Sequence, residues 1–142
     1  MPLAIRIATE ADCAETVALW RACGLVAAHN DPVTDFRFAL AGPASDVLLG
    51  LDEAGGLRAA ALVGHDGHRG WLYYVASDPD TRGQGHGREI VRAAEGWLRL
   101  RGVWKVQLMV RDTNTAVVPF YAGLGYQVEP RVVMSRRLDG AD

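Results

Sequence analysis

The architecture of this chain can be worked out from the segment Pro79-Asp80-Thr81-Arg82-Gly83-Gln84-Gly85-His86-Gly87-Arg88. The run Trp71–Ala76 before it is typical of a strand, and the residues 90–98 after it carry apolar side chains at the spacing of one helix face. The glycines at alternate positions leave the backbone uncovered where this helix begins. The first turn of a helix has N–H groups without internal partners and a partial positive charge. The segment therefore predicts a phosphate-binding site between a strand and a helix.

Two common nucleotide-binding motifs do not fit this spacing. A P-loop requires Gly-Lys-Ser/Thr after its glycines, whereas Gly87 is followed by Arg88 and Glu89. A dinucleotide-binding turn requires Gly-x-Gly-x-x-Gly, and counting from Gly83 puts Arg88 at the third glycine position. A plain tight connection without a ligand is the alternative that the turn alone leaves open.

The spacing that does fit is Arg-x-x-Gly-x-Gly, formed by Arg82, Gly85 and Gly87. This pattern resembles the acetyl-coenzyme A (acetyl-CoA) signature of the GNAT N-acetyltransferase superfamily. The resemblance implies that acetyl-CoA is the cofactor and that its pyrophosphate lies across this turn. The implied cofactor-binding residues here are Arg82, Gly83, Gln84, Gly85, His86 and Gly87. The side chain of His86 is expected to face solvent.

A second motif follows the next strand. Asn114 and Tyr121 are seven residues apart, which places them on one face of a continuous helix. Asn114, Phe120-Tyr121 and Leu124-Gly125-Tyr126 resemble the C-terminal GNAT motif. The resemblance implies that Asn114 contacts coenzyme A and that Tyr121 protonates the departing thiolate. Pro119 favours a late helix start or a kink, because proline lacks an N–H and its ring clashes with the preceding turn.

The resemblance covers essentially the whole chain. It is strongest to small bacterial YpeA-like acetyltransferases. It implies an α/β (α+β) fold, with residues 1–142 as a single domain whose mixed central sheet of six to seven strands is flanked by about four helices. Hydrophobic periodicity and turn residues predict helices and strands in agreement with this fold. The predicted strands are 3–7, 46–51, 57–63, 71–76, 103–110, 126–128 and 132–136. The predicted helices are 10–22, 34–40, the helix after the glycine turn, and 114–123.

Composition excludes several classes of partner. The 142 residues carry a formal net charge of −2, so nothing indicates nucleic acid or an anionic membrane as a partner. No apolar run reaches the ~20 residues of a membrane span, and no signal peptide is recognisable, so a cytoplasmic location is expected. Cys13 and Cys23 are about 15 Å apart if they lie in one helix, which is too far for a disulfide. Neither cysteine has a partner at metal-ligand spacing, and no metal is expected.

The implied reaction is direct attack of an amine on the acetyl-CoA thioester. A backbone N–H near Val75 or Ser77, at a splay or bulge of the fourth strand, is expected to stabilise the developing oxyanion. The acceptor is a small-molecule, peptide or protein amine, and a homodimer is possible. The general base is left unassigned among five titratable residues of the neighbouring loops: His29, Asp31, His65, Asp66 and His68. The alternative function is a non-catalytic acyl-CoA sensor or regulatory module on the same fold.

Overall fold

The computed structural model describes residues 2–140, and the contacts of the chain form two compact units that divide after Met109. The strands are β1 (Ala4–Ile7), β2 (Ser45–Leu51), β3 (Leu57–His65), β4 (Gly70–Ser77) and β5 (Val106–Leu108). The α-helices are α1 (Cys13–Ala22), α2 (Pro32–Ala41), α3 (His86–Leu100) and α4 (Val118–Gly123). Short 3₁₀ turns cover Glu10–Asp12, Pro79–Thr81 and Thr115–Val117. The first unit contains the whole sheet and α1–α3, and the second contains α4.

The five strands lie in sequence order, β1-β2-β3-β4-β5. The first three pairings are antiparallel, and β4 pairs with β5 in parallel after the crossover through α3. A mixed sheet with four α-helices confirms the predicted α/β architecture. No helix within residues 2–140 is both long enough and apolar enough to span a membrane.

Local sequence accounts for the main turns. Asp52 closes the β2–β3 hairpin, because its Oδ1 accepts the N–H groups of Ala54 at 2.9 Å and Gly56 at 2.7 Å. Asp31 caps α2 by accepting the N–H of Val33 at 3.0 Å, and Pro32 follows at the first helical position, where its missing N–H costs nothing. These contacts explain why a tight turn joins the predicted strands 46–51 and 57–63 and why a short second helix forms around the predicted residues 34–40.

Helices cover both faces of the sheet. Trp20 of α1 and Phe36 of α2 are fully buried in a cluster with alternate residues of β2 and β3, including Val47 and Ala60. The α3 helix packs on the opposite face: a Cβ placed on Gly70 would lie 2.6 Å from a methyl group of Leu98. The lack of a side chain at this position lets α3 approach β4 closely. The first unit therefore has a core on each face, and α3 is held rigidly behind the turn that precedes it.

The predicted six to seven strands are too many, because the sheet has five. The predicted fifth strand is reduced to Val106–Leu108, and residues 126–136 form no strand. The β-branched residues of this segment suit a strand locally, but a strand also needs a paired neighbour and a buried face. In the structure Val132 is 87% exposed and Met134 is 91% exposed. The alternation in sequence is present without the burial that would stabilise a strand.

The predicted last helix is also divided. Thr115–Val117 forms a 3₁₀ turn and α4 begins only at Val118, with Pro119 in its first turn. The late helix start predicted from Pro119 is therefore confirmed. Because Asn114 precedes the 3₁₀ turn, its seven-residue spacing from Tyr121 does not place the two on one face of a continuous helix.

Candidate active site

The turn between β4 and α3 leaves its backbone open on one side. Gly83 and Gly85 have φ angles of +82° and +81°, a conformation that L-residues with a side chain rarely adopt. A Cβ added at either position would meet no heavy atom within 4 Å. The turn leads directly into α3, a helix of 15 residues whose first N–H groups have no helical partners. Backbone donors and the positive end of the helix dipole are thus presented at an uncovered surface.

This surface fits an anionic pyrophosphate. Its glycines allow a phosphate to approach the backbone without contact with a side chain. The side chains of Arg82 and Gln84 are exposed on either side of Gly83 and are available to further ligand oxygens. Arg82 supplies a positive charge whose five N–H donors suit phosphate oxygens.

The prediction that the side chain of His86 faces solvent is wrong. It is only 7% exposed, and its Nδ1 lies 3.2 Å from Oγ1 of Thr81. His86 is the first residue of α3, and its side chain lies against the preceding 3₁₀ turn instead of extending into solvent. His86 therefore braces the turn with its ring, while its backbone N–H belongs to the first turn of the helix.

Asp78 anchors the start of the same turn. Its Oδ1 accepts the N–H of Asp80 at 2.9 Å, its carbonyl accepts the N–H of Thr81 at 3.0 Å, and its Oδ2 accepts a hydrogen bond from Arg58. The backbone hydrogen bond and the Arg58 guanidinium hold the pKa of the Asp78 carboxyl below its usual value. An ionised Asp78 thus ties the turn to the neighbouring strand β3.

The fourth strand contains the predicted bulge. Two cross-strand pairs bracket it: Ala60 with Ala76, and Leu62 with Tyr73. Between these pairs β3 has the single residue Ala61, whereas β4 has Tyr74 and Val75. The extra residue of a bulge is normally left out of the ladder of hydrogen bonds. Ser77, the second predicted oxyanion donor, lies beyond the bulge and pairs with Ala59, and its carbonyl accepts a hydrogen bond from the Cys23 thiol at 3.2 Å.

Tyr74 is strained at this bulge. Its φ of +52° is the only positive φ among the non-glycine residues that the structure describes. For a bulky residue this conformation costs of the order of 1–3 kcal/mol and is concentrated at functional sites. Its ring stacks on Trp20 at 4.1 Å between centroids, and its hydroxyl donates to Oδ2 of Asp35 at 2.7 Å.

A pocket of about 340 Å³ opens beside Tyr74. It is formed by residues of α2, β2, β3 and β4 and by Asn30 before α2. The side chains that matter for its chemistry are those of Asp35, Phe38, Leu62, Tyr73 and Tyr74. Because Tyr74 also belongs to the bulge, the pocket and the backbone of Val75 are adjacent in the chain.

Two of the five loop residues named as candidate bases, Asp66 and Asp31, hold turns or helix ends in the structure. The carboxylate of Asp66 accepts the N–H groups of His68 and Arg69 at 2.9 and 2.7 Å, which lowers the pKa of Asp66 to about 2. Asp31 is occupied in capping α2, and the backbone and hydroxyl of Thr34 lower its pKa. Both carboxylates act as turn and cap acceptors, which makes them poor bases near neutral pH.

Asn114 and Tyr121 lie in the second unit. Asn114 is exposed and precedes the 3₁₀ turn, and its carbonyl accepts the N–H of Val117 at 3.3 Å. Tyr121 is half-buried in α4, with its ring in edge contact with Phe120 and Tyr126. Burial raises the pKa of Tyr121 to about 12, so the phenol keeps its proton throughout the physiological range.

Comparison with known proteins identifies the family. A profile of the Acetyltransferase (GNAT) family matches residues 13–126. The chain belongs to the GNAT acetyltransferase family. It is 33% identical to an acetyltransferase of Yersinia enterocolitica over 134 residues, which are 94% of each chain.

Solved GNAT structures share the fold. An aminoglycoside 6′-N-acetyltransferase of Acinetobacter haemolyticus matches 96% of this chain and 100% of its own with a TM-score of 0.79 at 19% identity. An acetyltransferase predicted in Clostridium acetobutylicum and solved with acetyl-CoA matches 99% of both chains with a TM-score of 0.76 at 16% identity. The prediction that the chain is an acetyltransferase is confirmed, and GNAT acetyltransferases use acetyl-CoA, the predicted cofactor.

Sequence reasoning found the turn of this GNAT protein but did not single out the side chains that line the pocket. Asp35 and Phe38 were not singled out, although Phe38 gives one signal. It lies two residues after the buried Phe36 on α2, so helical geometry turns it away from the core. A large aromatic residue on the wet face of a helix is a reason to search for a ligand. The distorted φ of Tyr74 has no such signal in the sequence.

Proposed function

We propose that this GNAT protein transfers the acetyl group of acetyl-CoA to a primary amine by direct attack of the amine on the thioester. The observation that carries the proposal is the turn Arg82–Gly87, with two glycines at positive φ and open space on the side of the uncovered backbone. When bound, acetyl-CoA supplies an acetyl group activated as a thioester. The residues of this chain hold the cofactor, stabilise charge and deliver a proton.

The cofactor is held mainly through backbone atoms. Gly83, Gly85 and the first residues of α3 offer N–H groups to the pyrophosphate, and Arg82 adds a positive charge. Gln84, Gly87 and the backbone of His86 complete the turn. Asn114 is also proposed to contact coenzyme A, on the strength of the family resemblance alone. The open turn and the family resemblance support these assignments.

The carbonyl oxygen of the thioester gains negative charge as the amine attacks. A backbone N–H of β4 is the proposed donor to it, and the bulge favours Val75 over Ser77 because Ser77 is paired with Ala59 in the sheet. Removing one such donor from an acyl-transfer enzyme typically costs about 2.7–4 kcal/mol of transition-state stabilisation. The bulge is the feature of this chain that supports such a donor.

Tyr121 is the proposed general acid. The amine first loses its ammonium proton to solvent, and its neutral nitrogen then forms a bond to the acetyl carbon as the carbon–sulfur bond breaks. The phenol supplies a proton to the sulfur and regains one from solvent, while the nitrogen loses its excess proton to solvent. A thiolate with a pKa of ~8.5 leaves readily without help, and a phenol with a pKa of about 12 is a weak acid. The contribution of Tyr121 is therefore expected at the lower end of the typical 10²–10⁴-fold for general acids, or below it.

The test is release of free thiol from acetyl-CoA across a panel of amines, with mass spectrometry of the acetylated products. A transferase is expected to release thiol only when an amine is present. The amine product should be heavier than the starting amine by one acetyl group in place of a hydrogen. Acetyl-CoA binding by calorimetry without turnover on any amine would instead support the non-catalytic sensor.

A further inference from the structure

The pocket beside Tyr74 has a single charged group. Among the side chains that line it, Asp35 contributes the one acidic or basic group of the charged residue types, and the others are apolar, aromatic or neutral polar. The Asp35 carboxylate accepts the Tyr74 hydroxyl at 2.7 Å through Oδ2. No lysine, arginine or histidine within residues 2–140 forms an ion pair with it. A half-buried carboxylate without a counter-ion suits a cationic ligand, because a charged hydrogen bond would offset its partial desolvation.

The walls of the pocket are aromatic. Phe38 is 81% exposed and Tyr73 is 42% exposed, although both are large side chains that gain from burial. The ring of Tyr74 lies on Trp20 and is fixed by it. Aromatic faces attract both apolar ligand groups and ammonium ions. These rings therefore offer surface for the body of a ligand beside the carboxylate that suits its charge.

The position of the pocket links it to the reacting centre. Tyr74 contributes its side chain to the pocket, and the next residue, Val75, carries the backbone N–H that we place at the thioester carbonyl. Tyr74, with its φ of +52°, lies within the bulge, and its hydroxyl donates to Asp35 in the pocket. A ligand in the pocket is thus held next to the bulge and not at a remote surface.

We infer that this pocket is the acceptor site and that it selects small primary amines with one positive charge and an apolar or aromatic body. This inference rests on the proposed acetyl transfer. Asp35 pairs with the ammonium group as the amine binds, and Phe38, Tyr73 and Leu62 contact the body. The bound ammonium group then loses one proton to solvent, so that its nitrogen can attack. At about 340 Å³ the pocket is at the lower end of the roughly 300–1,000 Å³ typical of small-molecule sites.

The same features disfavour two other classes of amine. A free amino acid carries a carboxylate beside its amine, and the pocket has an aspartate but no cationic side chain to receive that carboxylate. An aminoglycoside carries several ammonium groups and a polar body, whereas the pocket has one carboxylate and aromatic walls. Both ligands would leave charged or polar groups without partners, which costs binding free energy.

The first experiment measures binding of 2-phenylethylamine, L-phenylalanine and an aminoglycoside by calorimetry, with and without desulfo-CoA. L-phenylalanine is the matched comparison, because it has the same ring and amine with a carboxylate added. We expect 2-phenylethylamine to bind at least about tenfold more tightly than either, the difference of one charged interaction. Equal or tighter binding of L-phenylalanine or of the aminoglycoside would overturn the inference.

Two pairs of variants test the residues. Asp35→Asn keeps an acceptor for the Tyr74 hydroxyl but removes the charge, and Glu53→Gln removes one charge from the exposed β2–β3 turn as its control. Phe38→Ala removes an exposed ring from the pocket, and Leu100→Ala removes an equally exposed apolar side chain from α3. We expect Asp35→Asn to weaken 2-phenylethylamine about tenfold and Phe38→Ala several-fold, with unchanged acetyl-CoA affinity and unchanged controls.

Turnover separates this inference from the proposed function. Thiol release from acetyl-CoA should follow binding, with KM for 2-phenylethylamine raised in Asp35→Asn and kcat changed less. If 2-phenylethylamine binds through Asp35 but no amine gives thiol release, the pocket stands and the proposed function fails. If a lysine-containing peptide or an amino acid is acetylated while 2-phenylethylamine neither binds nor reacts, the proposed function stands and this inference fails.

Discussion

The glycine turn at residues 82–87 and the pocket beside Tyr74 lie in the same unit of the chain, but they are built in opposite ways. The turn consists of the six consecutive residues 82–87 and presents backbone N–H groups. The pocket takes side chains from α2, from Asn30 before it, and from β2, β3 and β4, and it presents a carboxylate and aromatic rings. Backbone recognition depends little on neighbouring side chains, whereas the pocket changes with every substitution in its walls. Cofactor binding and acceptor choice can therefore vary separately on this fold.

Two aspartates illustrate the same contrast. Asp78 accepts hydrogen bonds from Asp80 and Arg58, and it ties the turn to β3. Asp35 accepts the hydroxyl of Tyr74 and forms no ion pair within the described residues 2–140. The first carboxylate is used up in holding structure, and the second has capacity left for a ligand. Variants of the two regions should accordingly fail in different assays.

The largest expected effect is that of Gly85→Val on cofactor binding. A β-branched residue is strained at φ +81°, and its side chain would occupy the open space beside the turn. We expect acetyl-CoA affinity to fall by at least about 100-fold, or about 2.7 kcal/mol. Calorimetric titration of the folded variant measures this loss.

Gly102→Val is the matched control for this change. Gly102 lies after the other end of α3, with a φ of +78° and the same open space around a Cβ. It carries the same backbone strain outside the turn and should retain acetyl-CoA affinity. Equal affinity in wild type and Gly85→Val would remove the turn from the cofactor site.

Tyr121→Phe should have the next largest effect, on catalysis alone. The substitution keeps the ring and its contacts, so the free energy of unfolding should change by about 1 kcal/mol or less. We expect kcat to fall by roughly 10–100-fold with acetyl-CoA still bound. Because the pKa of Tyr121 is about 12, the ratio of the two kcat values should stay constant across neutral and mildly alkaline pH.

Steady-state kinetics on a verified acceptor measure this ratio, and Tyr126→Phe serves as the control. Tyr126 is in edge contact with Tyr121, so its variant reports the effect of disturbing the same aromatic group without removing the proposed acid. Full kcat in Tyr121→Phe would show that the phenol is not the acid, and the divided helix before it would be the first place to look for the reason.

The contrast also explains what could be predicted from the sequence. The turn was predictable because its three glycines lie within a few neighbouring residues and act through the backbone, and strands β2 and β3 were predictable because their signals are also local in the sequence. The pocket was not, because Asp35 and Tyr74 are 39 residues apart and meet only through the packing of α2 on the sheet. The strands predicted over 126–136 failed because alternation in sequence does not supply a pairing partner.

Tyr74→Phe should affect the acceptor and leave the cofactor site unchanged. The variant keeps the ring on Trp20 but loses the hydrogen bond to Asp35, so we expect a loss of about 1 kcal/mol in the free energy of unfolding. Without this hydrogen bond the Asp35 carboxylate is no longer held in one orientation, so KM for the amine should change several-fold. Acetyl-CoA affinity should stay unchanged within experimental error. A parallel loss of acetyl-CoA affinity would mean that the two regions are coupled through the bulge.

The smallest effect concerns the pH dependence of stability at Asp78. The folded pKa of Asp78 is lowered, first by the N–H of Asp80 and then by Arg58, relative to an unfolded value of about 3.9. Its contribution to stability is therefore complete at a pH well above the unfolded pKa and is lost as the pH falls through the unfolded and then the folded pKa. Asp78→Asn should reduce the free energy of unfolding at neutral pH by roughly 1 kcal/mol or less and flatten its decrease between about pH 5 and about pH 2. Urea unfolding across this range measures both, and a cycle with Arg58→Met isolates the share of the ion pair.

Because the Asp78 carbonyl still accepts the N–H of Thr81, the turn should keep its shape and acetyl-CoA affinity should change less than about threefold at neutral pH. Identical acid slopes in wild type and variant would mean that the turn is held by its backbone alone, which would extend the contrast with the pocket to its anchor.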